Sequence, residues 1–572
     1  MTKTRSLYED IDDSMELRND SSARFLPAER LGQLLTKEAV TMALEPCKPL
    51  SKDINMEALV RFVCTEARIV FAILVWNENE SLIFGFYRAQ FTDKMLPVAR
   101  SGEKLSSFKK RFTSIARSTF SGPEWTRHAI NSFYDYQWPF LSPVFRKDRF
   151  HYKLLGQHHM PFLQKIVRDG GRYGEVTKCI LHRDHLDINI DVMHNENHQP
   201  IIAIKELKKH DHWSDNEFRD HAKREADVLK MMRQFPHEHF IKIIAYCEIN
   251  ERRYFLFPWA EYGNLQQYWS SQTPDLDEAY LKWVFSQLMG LAGAIQQLHE
   301  KGGCRHGDIK SQNILCFKDT SAGANNYPVR LVIADLGLAK VHDQATMLRS
   351  GVTTTKNHTI MYSAPEVELN TEPRSRLYDV WSIGCTYLEF IIWLLWRKPE
   401  LDRFQSEVGG FGHRGTFYDI QPGQEPPACV HSTVNEWMEH IRDDPRCSPD
   451  TGLRRLIDLI ATRLLIVALP GAAPKLTEPF NRQINCTEDS FQVLVQRPTL
   501  KRDATSNQPV RATAEEMHHD LRSINSDVES KRCKLINDSR PVGEPPHLNN
   551  KLALPSSAAH AIGTGIRKLV VR

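Results

Sequence analysis

One stretch of fourteen residues constrains the fold of this chain more than any other part of its sequence. CRHGDIKSQNILCF (304–317) places His306, Asp308, Lys310 and Asn313 at fixed spacing ahead of an apolar run. Four specified residue types at a fixed spacing should occur by chance in about one of three hundred chains of this length. An ordinary polar loop after a helix is therefore the weaker interpretation, and other residues that could act with this stretch are worth finding.

The bulk composition is that of an ordinary globular protein. The 572 residues exceed one domain, so two or three structural units are expected. Hydrophobic content of 41% and charged content of 25% are enough for a real core. The net charge of +3, from 74 basic and 71 acidic residues, gives no electrostatic case for binding nucleic acid or a membrane surface.

Cysteine usage and apolar runs predict the cellular compartment. The eleven Cys residues form no C-x-x-C pair and no cluster at zinc spacing. The polar, acidic start lacks the apolar core of a signal peptide. The longest apolar stretches, 58–76 and 387–396, either contain charges or are too short to span a bilayer. These features predict no membrane span and a reducing compartment, the cytoplasm, with the nucleus as a second location.

Residue patterns divide the chain into an N-terminal region, a short sheet-rich unit and a longer helical unit. Residues 1–26 are predicted to be a disordered lead-in, and 27–155 a mixed, largely helical region of unknown function in which SLIFGFYRAQF favours a strand. Residues 178–206 alternate β-branched runs with polar turns, as an antiparallel sheet does. Helical patterns dominate from 215 onwards.

Two segments upstream of 304–317 could contact phosphate. DGGRYGEV (169–176) fits the pattern G-x-G-x-x-G-x-V at Gly171, Gly174 and Val176, with Asp169 in place of the first glycine. Glycines let backbone N–H groups approach phosphate oxygens, although a tight hairpin turn would look the same. Lys205 ends the apolar strand PIIAIKEL; a solvated strand end is the alternative.

Carboxylates in three other segments complete the set. Glu225 lies on a predicted helix and could hold Lys205, or be an ordinary solvated helix charge. LVIADLGLAK would deliver Asp335 from a buried strand into a turn, although such turns are common. Asp379 could bond the backbone of the 304–317 loop or merely cap a helix, and Glu366 could form a buried ion pair with Arg511.

Eight such features in this order resemble the eukaryotic protein kinase family, over roughly 160–525. The resemblance implies an α+β, bilobal fold: a small antiparallel β N-lobe with one helix, a larger α-helical C-lobe, and the extra N-terminal region outside it. The implied kinase domain is 156–527, with the N-lobe at 156–258 and the C-lobe at 259–527. Segments 402–450 and 469–510 would be C-lobe inserts, and 528–572 a flexible tail.

The resemblance also implies roles for individual residues. Asp308 would accept the hydrogen bond of a substrate hydroxyl, Lys310 would steady the transferred phosphoryl group, and Lys205, held by Glu225, would contact the ATP phosphates. Asn313 and Asp335 would bind Mg²⁺. The implied ATP-contacting residues are Gly171, Gly174, Val176, Ala203, Lys205, Phe257, Trp259 and Ala260. Lys310 and Thr359 resemble the serine/threonine branch, which implies a protein substrate.

The chain departs from the family at Gly307, where H-R-D-x-K-x-x-N has Arg. In many relatives that Arg grips an activation-loop phosphate, so activity here is predicted not to depend on activation-loop phosphorylation. Asp169 and Gly307 also leave an alternative open, a catalytically weak or inactive pseudokinase that serves as an ATP-binding scaffold. The N-terminal region could bind a partner in either case.

Overall fold

A computed structural model describes thirteen ranges of the chain and provides the boundaries of its elements. The described ranges are 5–18, 23–50, 53–101, 104–171, 174–209, 213–274, 276–319, 327–335, 360–369, 375–410, 415–424, 426–467 and 510–537. Their helices are α1 Leu7–Asp13, α2 Ala28–Leu34, α3 Lys37–Leu44, α4 Met56–Glu66, α5 Arg68–Trp76, α6 Ile83–Arg88, α7 Thr113–Thr119, α8 Arg127–Tyr136, α9 Asp215–Gln234, α10 Leu265–Ser271, α11 Glu278–Glu300, α12 Leu377–Val408, α13 Ser432–Asp443, α14 Gly452–Leu459 and α15 Ala514–Glu529. Their strands are β1 Glu16–Leu17, β2 Arg24–Phe25, β3 Val98–Ser101, β4 Lys104–Ser107, β5 Phe145–Arg146, β6 His151–Leu154, β7 Phe162–Gly171, β8 Gly174–Leu181, β9 Leu186–Asp187, β10 Ile201–Leu207, β11 Ala245–Ile249, β12 Arg252–Pro258, β13 Ile314–Lys318, β14 Val329–Ile333, β15 Tyr418–Ile420 and β16 Ala428–Val430.

The small lobe is a sheet with one helix. Strands β7, β8, β10, β12 and β11 pair antiparallel in that spatial order, and β6 adds a sixth, parallel strand beside β11. Helix α9 begins with a capping box between Ser214 and Glu217, which satisfies backbone N–H groups at its first turn. Its buried side includes Phe218, Glu225 and Leu229, so α9 carries a carboxylate into the lobe interior.

The large lobe is helical and holds the main hydrophobic core. Trp269, Trp381, Trp393 and Trp437 are fully buried in it, each less than 2% exposed. Helix α12 is interrupted at Arg397, which has a φ of 71°, two residues before a proline that cannot continue the helix hydrogen bonding. Within the described residues, none of the helices combines the length and apolar character needed to cross a bilayer.

The predicted α+β, bilobal architecture is confirmed, with β6 as an addition to the antiparallel sheet. The N-terminal region has a hydrophobic core of its own, which runs from Ile11 to Phe140. We call residues 5–141 the N-terminal unit. Phe25 of this unit lies against the rings of His182 and His185 in the small lobe, with ring centroids 5.9 and 5.4 Å apart.

Two sequence predictions for the N-terminal unit were wrong. Part of the predicted disordered lead-in (1–26) is ordered: α1 has a capping box at Ser6, and Ile11 and Phe25 are fully buried. The lead-in was predicted to be disordered because its composition is mostly polar, and the few apolar residues that pack it onto the core were not recognised. SLIFGFYRAQF was predicted to be a strand but contains helix α6, in which Ile83 and Phe86 are both buried. The prediction failed because so short an apolar run has no periodicity that distinguishes a strand from a helix.

The predicted C-lobe inserts have different outcomes. Residues 402–450 include the end of α12, the β15–β16 hairpin and α13, and Phe404, Phe417 and Trp437 are completely buried. This segment is therefore packed into the core and is not an appended loop; the prolines and glycines that its described residues contain lie outside these helices and strands. Residues 469–509 lie outside the described part of the chain.

Candidate active site

The 304–317 loop is held from below by one buried carboxylate. Asp379, at the start of α12, accepts hydrogen bonds from the backbone N–H groups of His306 (2.7 Å) and Gly307 (2.8 Å). Its Oδ2 also lies 2.8 Å from Nε2 of His299. Burial alone would raise the pKa of Asp379, but the contacts with the histidines and Gly307 lower it below its usual value. Asp379 is therefore an ionised anchor for the loop.

The functional side chains of the loop contact one another. Lys310 Nζ lies 2.8 Å from Asp308 Oδ2, and Asn313 Nδ2 donates to the same oxygen (2.9 Å) and to the Asp308 carbonyl (2.8 Å). Asp308 and Lys310 are each only 8% exposed. These bonds fix the Asp308 carboxylate through Oδ2, and among the described residues no donor engages its Oδ1.

Asp335 joins this group from the neighbouring hairpin. Strand β14 delivers it, and the backbone N–H of Ala334 donates to the carbonyl of Asn313 over 2.8 Å. Asp335 has a φ of 64°, the left-handed region that non-glycine residues rarely adopt. Such backbone conformations cluster at functional sites, where the surrounding structure maintains them.

A lysine ion-paired to two carboxylates spans the two lobes. Lys205 Nζ lies 3.0 Å from Glu225 Oε1 and 2.5 Å from Asp335 Oδ1. Burial would lower the pKa of Lys205, but Asp335 and Glu225 raise it above its usual value. Burial raises the pKa of Glu225, whereas the charge and hydrogen bond of Lys205 outweigh burial at Asp335 and lower its pKa. Glu225 Oε2 is buried without a hydrogen-bond partner in the described structure.

Strands β8, β10 and β12 place further side chains on the sheet face that carries Lys205. In the β8–β10–β12 register, Val176 lies opposite Lys205, and Ala203 lies opposite both Lys178 and Phe257. Directly opposed residues share a face of the sheet, so Val176, Ala203 and Lys205 face the same side. Gly171 and Gly174 pair at the tip of the β7–β8 hairpin.

The segment after β12 connects the two lobes. Phe257 is half-buried near its end, followed by Pro258, Trp259 and Ala260. The Trp259 N–H donates to the carbonyl of Ile201 over 3.4 Å, which ties the connection to β10. Lys178 Nζ lies 5.3 Å from the centre of the Trp259 ring, a cation–π contact.

Comparisons with known proteins assign this architecture. Residues 189–406 match the family model described as "Protein kinase domain". This part of the chain is therefore similar to protein kinase domains.

Three proteins named as kinases are similar to part of the chain. The chain is 30% identical over 203 residues to extracellular signal-regulated kinase 1 of Dictyostelium discoideum, covering 35% of this chain and 33% of that protein. It is 28% identical over 194 residues to human serine/threonine-protein kinase ULK1 (33% and 17%). It is 30% identical over 162 residues to bovine serine/threonine-protein kinase 33 (28% and 31%). The chain thus spans a third or less of the length of these three relatives.

The region that matches the family model contains most of the predicted site residues. Those inside 189–406 are Ala203, Lys205, Glu225, Phe257, Trp259, Ala260, Asp308, Lys310, Asn313 and Asp335, whereas Gly171, Gly174 and Val176 precede it. Leu336, Gly337, Thr359 and the hydroxyls of 353–355 lie outside the described residues, as does the Asp169 side chain.

Two residues near the candidate active site were missed in the sequence analysis. His299 supports Asp379, yet it looks like an ordinary residue at the end of α11, and only its spacing of seven from His306 was available as a signal. Lys178 lies on the cleft face of β8, where an alternating strand pattern gives no reason to single out a lysine. The predicted pair Glu366–Arg511 does form, with Arg511 Nη1 2.7 Å from Glu366 Oε1.

Proposed function

We propose that this chain is a serine/threonine protein kinase that transfers the γ-phosphate of ATP to a Ser or Thr hydroxyl of a protein substrate. The observation that carries the proposal is the convergence of Asp308, Lys310 and Asn313 with the Lys205–Glu225–Asp335 network. Phosphoryl transfer requires positioned charges more than covalent chemistry, and these groups supply them.

Asp308 would orient the nucleophile. Its Oδ2 is engaged by Lys310 and Asn313, so Oδ1 is available to accept the hydrogen bond of the incoming hydroxyl. The hydroxyl oxygen attacks the γ-phosphorus, the bond from that phosphorus to the ADP oxygen breaks, and the hydroxyl proton passes to Asp308. Lys310 would offset the charge that develops on the transferred oxygens.

Lys205 would bind phosphate oxygens of ATP while Glu225 holds its ammonium group in place. The raised pKa of Lys205 keeps it charged at neutral pH. Val176, Ala203, Phe257, Trp259 and Ala260 would enclose the adenine and ribose. Gly171 and Gly174 would cover the phosphates, where the absence of Cβ atoms lets backbone N–H groups approach.

Asn313 and Asp335 fit the requirements of a Mg²⁺ site. Both offer oxygen donors, which Mg²⁺ prefers, and the Ala334–Asn313 backbone bond brings their segments together. Across the described residues, His, Cys, Asp and Glu side chains do not gather in groups of three or more suited to a metal. Two protein ligands are sufficient here, since Mg²⁺ usually binds through one or two side chains plus phosphate oxygens and water. When bound, the ion would neutralise charge on those oxygens.

A radiolabel assay tests the activity. The full chain is incubated with [γ-³²P]ATP, Mg²⁺ and a general protein substrate, beside Asp308→Asn and Lys205→Met. We expect transfer by the wild type and a loss of about 10²–10⁴-fold in Asp308→Asn, the usual contribution of a positioned acid–base group. Label on phosphoserine or phosphothreonine supports the substrate class, and phosphotyrosine contradicts it. Wild-type signal no higher than that of the variants favours the pseudokinase alternative.

We further propose that activation-loop phosphorylation does not control this kinase. Gly307 offers no guanidinium to receive a phosphate, and Arg305 is engaged elsewhere, with its Cζ 5.6 Å from the centre of the Tyr378 ring. Alanine at Thr353, Thr354 and Thr355 should leave specific activity within about twofold of the wild type. Phosphatase treatment of the wild type is the matched control, and a collapse of rate in either sample would contradict the proposal.

The remaining features of the proposed kinase concern its surroundings. The boundaries proposed for the kinase domain are 156–527, preceded by the N-terminal unit, which would bind a protein partner. The predicted flexible tail from 528 was wrong at its start, because α15 continues to Glu529 and both Val528 and Leu535 are buried. The cytoplasm is the proposed location, with the nucleus as the alternative. Limited proteolysis with mass spectrometry would test these boundaries, which predict early cleavage after about residue 537.

A further inference from the structure

A ten-residue segment between the N-terminal unit and the kinase lobes touches both the sheet and the end of helix α9. We call residues 145–154 the strap. Its strand β6 lies parallel to β11, with His151 opposite Tyr246 and Tyr152 opposite Cys247. The Tyr246 N–H also donates to the carbonyl of Phe150 over 2.9 Å. The strap therefore extends the small-lobe sheet on the edge that faces the last turn of α9.

The last turn of α9 is bound to the strap through Arg233. Its Nη2 donates to the Lys147 carbonyl over 2.9 Å, and its Cζ lies 5.9 Å from the centre of the Phe150 ring. Arg233 follows Glu225 by eight residues, just over two turns of helix. This charge-assisted bond is exposed, so it restrains the end of α9 together with the Phe150 ring beside the guanidinium.

An aromatic stack connects the strap to the strand beside Lys205. Phe150 stacks on Tyr246 with centroids 6.4 Å apart, and Tyr246 stacks on Phe255 at 5.0 Å. Phe255 lies directly opposite Lys205 in the β10–β12 register. The strap thus contacts the elements that present both members of the Lys205–Glu225 pair.

The strap is anchored at its upstream end as well. Residues Phe145 and Arg146 pair with Leu186 and Asp187, and the Lys147 N–H donates to the Asp187 carbonyl over 3.1 Å. Tyr152 is 1% exposed, and its hydroxyl donates to the Val144 carbonyl over 3.0 Å. A segment fixed at both ends can hold a helix in one position, whereas a loose linker cannot.

We propose that Arg233 and Phe150 are positioning residues, through which the strap holds α9 where Glu225 reaches Lys205. This proposal rests on the proposed function, because it concerns control of the same site. In this proposal α9 is held in place by a segment of the same chain. Such control does not require a phosphate on the activation loop, which is consistent with glycine at position 307 in place of the phosphate-binding arginine. Other parts of the chain could act on the active site by loosening this segment.

Four variants of the full-length protein test the proposal by steady-state kinetics with ATP. Arg233→Ala removes both contacts of the guanidinium, and Phe150→Ala removes its ring partner. Arg233→Lys retains a cation that can reach the same carbonyl. Arg224→Ala is the matched control, since Arg224 is an exposed arginine on the same helix. We expect Arg233→Ala and Phe150→Ala to lower kcat/KM for ATP about tenfold, Arg233→Lys to recover most of the loss, and Arg224→Ala to remain within about twofold.

A double-mutant cycle separates positioning from general destabilisation. If Arg233 acts through Glu225, then Arg233→Ala should cost less than about twofold when Glu225 is already Gln. An equal loss in both backgrounds, or full activity in Arg233→Ala, would overturn the proposal. Should Arg233→Ala or Phe150→Ala fail to fold, Phe150→Leu retains the apolar volume but not the ring and carries the same expectation.

Hydrogen exchange tests the strap proposal independently of whether the protein is an active kinase. If the wild type shows no phosphoryl transfer at all, the kinase proposal fails, but the strap can still be tested. Amides of α9 from 225 to 233 should then exchange about tenfold faster in Arg233→Ala than in the wild type, while those of β12 do not change. Unchanged α9 exchange would contradict the strap proposal.

Discussion

Two buried ion-pair networks in this molecule are built differently, although both join distant parts of the chain. At Glu366–Arg511, the guanidinium makes two contacts with the carboxylate, at 2.7 and 3.1 Å, and two more bonds to the carbonyls of Ile466 and Leu377. The Trp381 ring covers it at 4.9 Å. In the cleft, by contrast, Lys205 faces two carboxylates.

Both oxygens of Glu366 are bonded to Arg511, whereas in the described part of the chain the Lys205 network leaves a buried carboxylate oxygen without a hydrogen-bond partner. Glu225 Oε2 is buried without a partner in the described structure, and Asp335 keeps a strained backbone with a φ of 64°. An ion pair with a purely structural role satisfies its polar atoms, because each unsatisfied buried atom costs stability. A buried oxygen without a partner, near a carboxylate whose backbone is strained, is typical of a site that binds a ligand. The difference predicts that the first network supports stability and the second supports activity.

Removing the cation of each network gives the largest expected effect. Arg511→Met leaves Glu366 buried without its partner and should lower the free energy of unfolding by about 3–5 kcal/mol. Lys205→Met should lower it by only about 1–2 kcal/mol, because Glu225 can take up a proton in the absence of the ammonium. Denaturant unfolding followed by tryptophan fluorescence measures both values.

A double variant serves as the control for this first prediction. Arg511→Met combined with Glu366→Leu removes both charges, so it should recover more than half of the lost stability. The comparison fails if Lys205→Met is the more destabilising of the two, or if the double variant is no better than Arg511→Met.

Glu389 is a fully buried carboxylate of the helical core whose hydrogen-bond partners, unlike those of Glu366 and Glu225, are neutral. It accepts hydrogen bonds from the Tyr362 hydroxyl (2.6 Å) and the Gln405 amide (2.7 Å), and burial raises its pKa from 4.5 to about 7. The folded state therefore retains a proton that the unfolded state loses above pH 4.5. Stability should fall as the pH rises from about 4.5 through 7 and then level off.

Glu389→Gln should remove that pH dependence. The shift in the pKa of Glu389 corresponds to about 3 kcal/mol, so the variant should be more stable than the wild type by up to that amount at pH 8 and equal to it near pH 4.5. The Gln405 amide can rotate to keep both hydrogen bonds. Unfolding curves across this pH range measure the effect, and an unchanged slope with pH would count against it.

The smallest expected effect concerns the glycine in the 304–317 loop. Gly307 and Gly423 both have a φ of 80°, a conformation that costs other residues about 1–2 kcal/mol. Gly423 lies in a turn where an added Cβ would meet nothing within 4 Å, which makes it the matched control. Alanine at either position should lower stability by a similar amount, but only Gly307→Ala should also lower kcat. Equal losses of kcat in the two variants would contradict a special role for the loop.

The cleft could be predicted from the sequence far better than its surroundings. Asp308, Lys310 and Asn313 lie within six residues, so their spacing already brings them together. Lys205 and Glu225 are 20 residues apart, and a strand followed by a helix was enough to suggest their contact. Alternating and helical periods indicated a sheet-rich unit before a helical one, and the resemblance to the protein kinase family implied the bilobal fold.

The strap and the buried parts of 402–450 could not be predicted in this way. Strand β6 has four residues and pairs with a strand more than 90 residues later, so no local period marks it. Arg233 looks like an ordinary residue of a helix C-terminus, where the helix dipole alone favours a basic side chain. Its contact with the Lys147 carbonyl depends on long-range packing that only the folded structure shows.

Single-turnover transfer and ATP binding, measured on the same samples of wild type and Asp308→Asn, test the central claim most directly. Asp308 is placed to act on the hydroxyl and not on the nucleotide, so both proteins should bind ATP·Mg²⁺ with the same affinity within about threefold. Transfer at saturating ATP should occur in the wild type and fall about 10²–10⁴-fold in the variant. Binding without transfer in either protein, or equal transfer in both, would contradict the assignment of Asp308 and with it the account of this chain as a protein kinase.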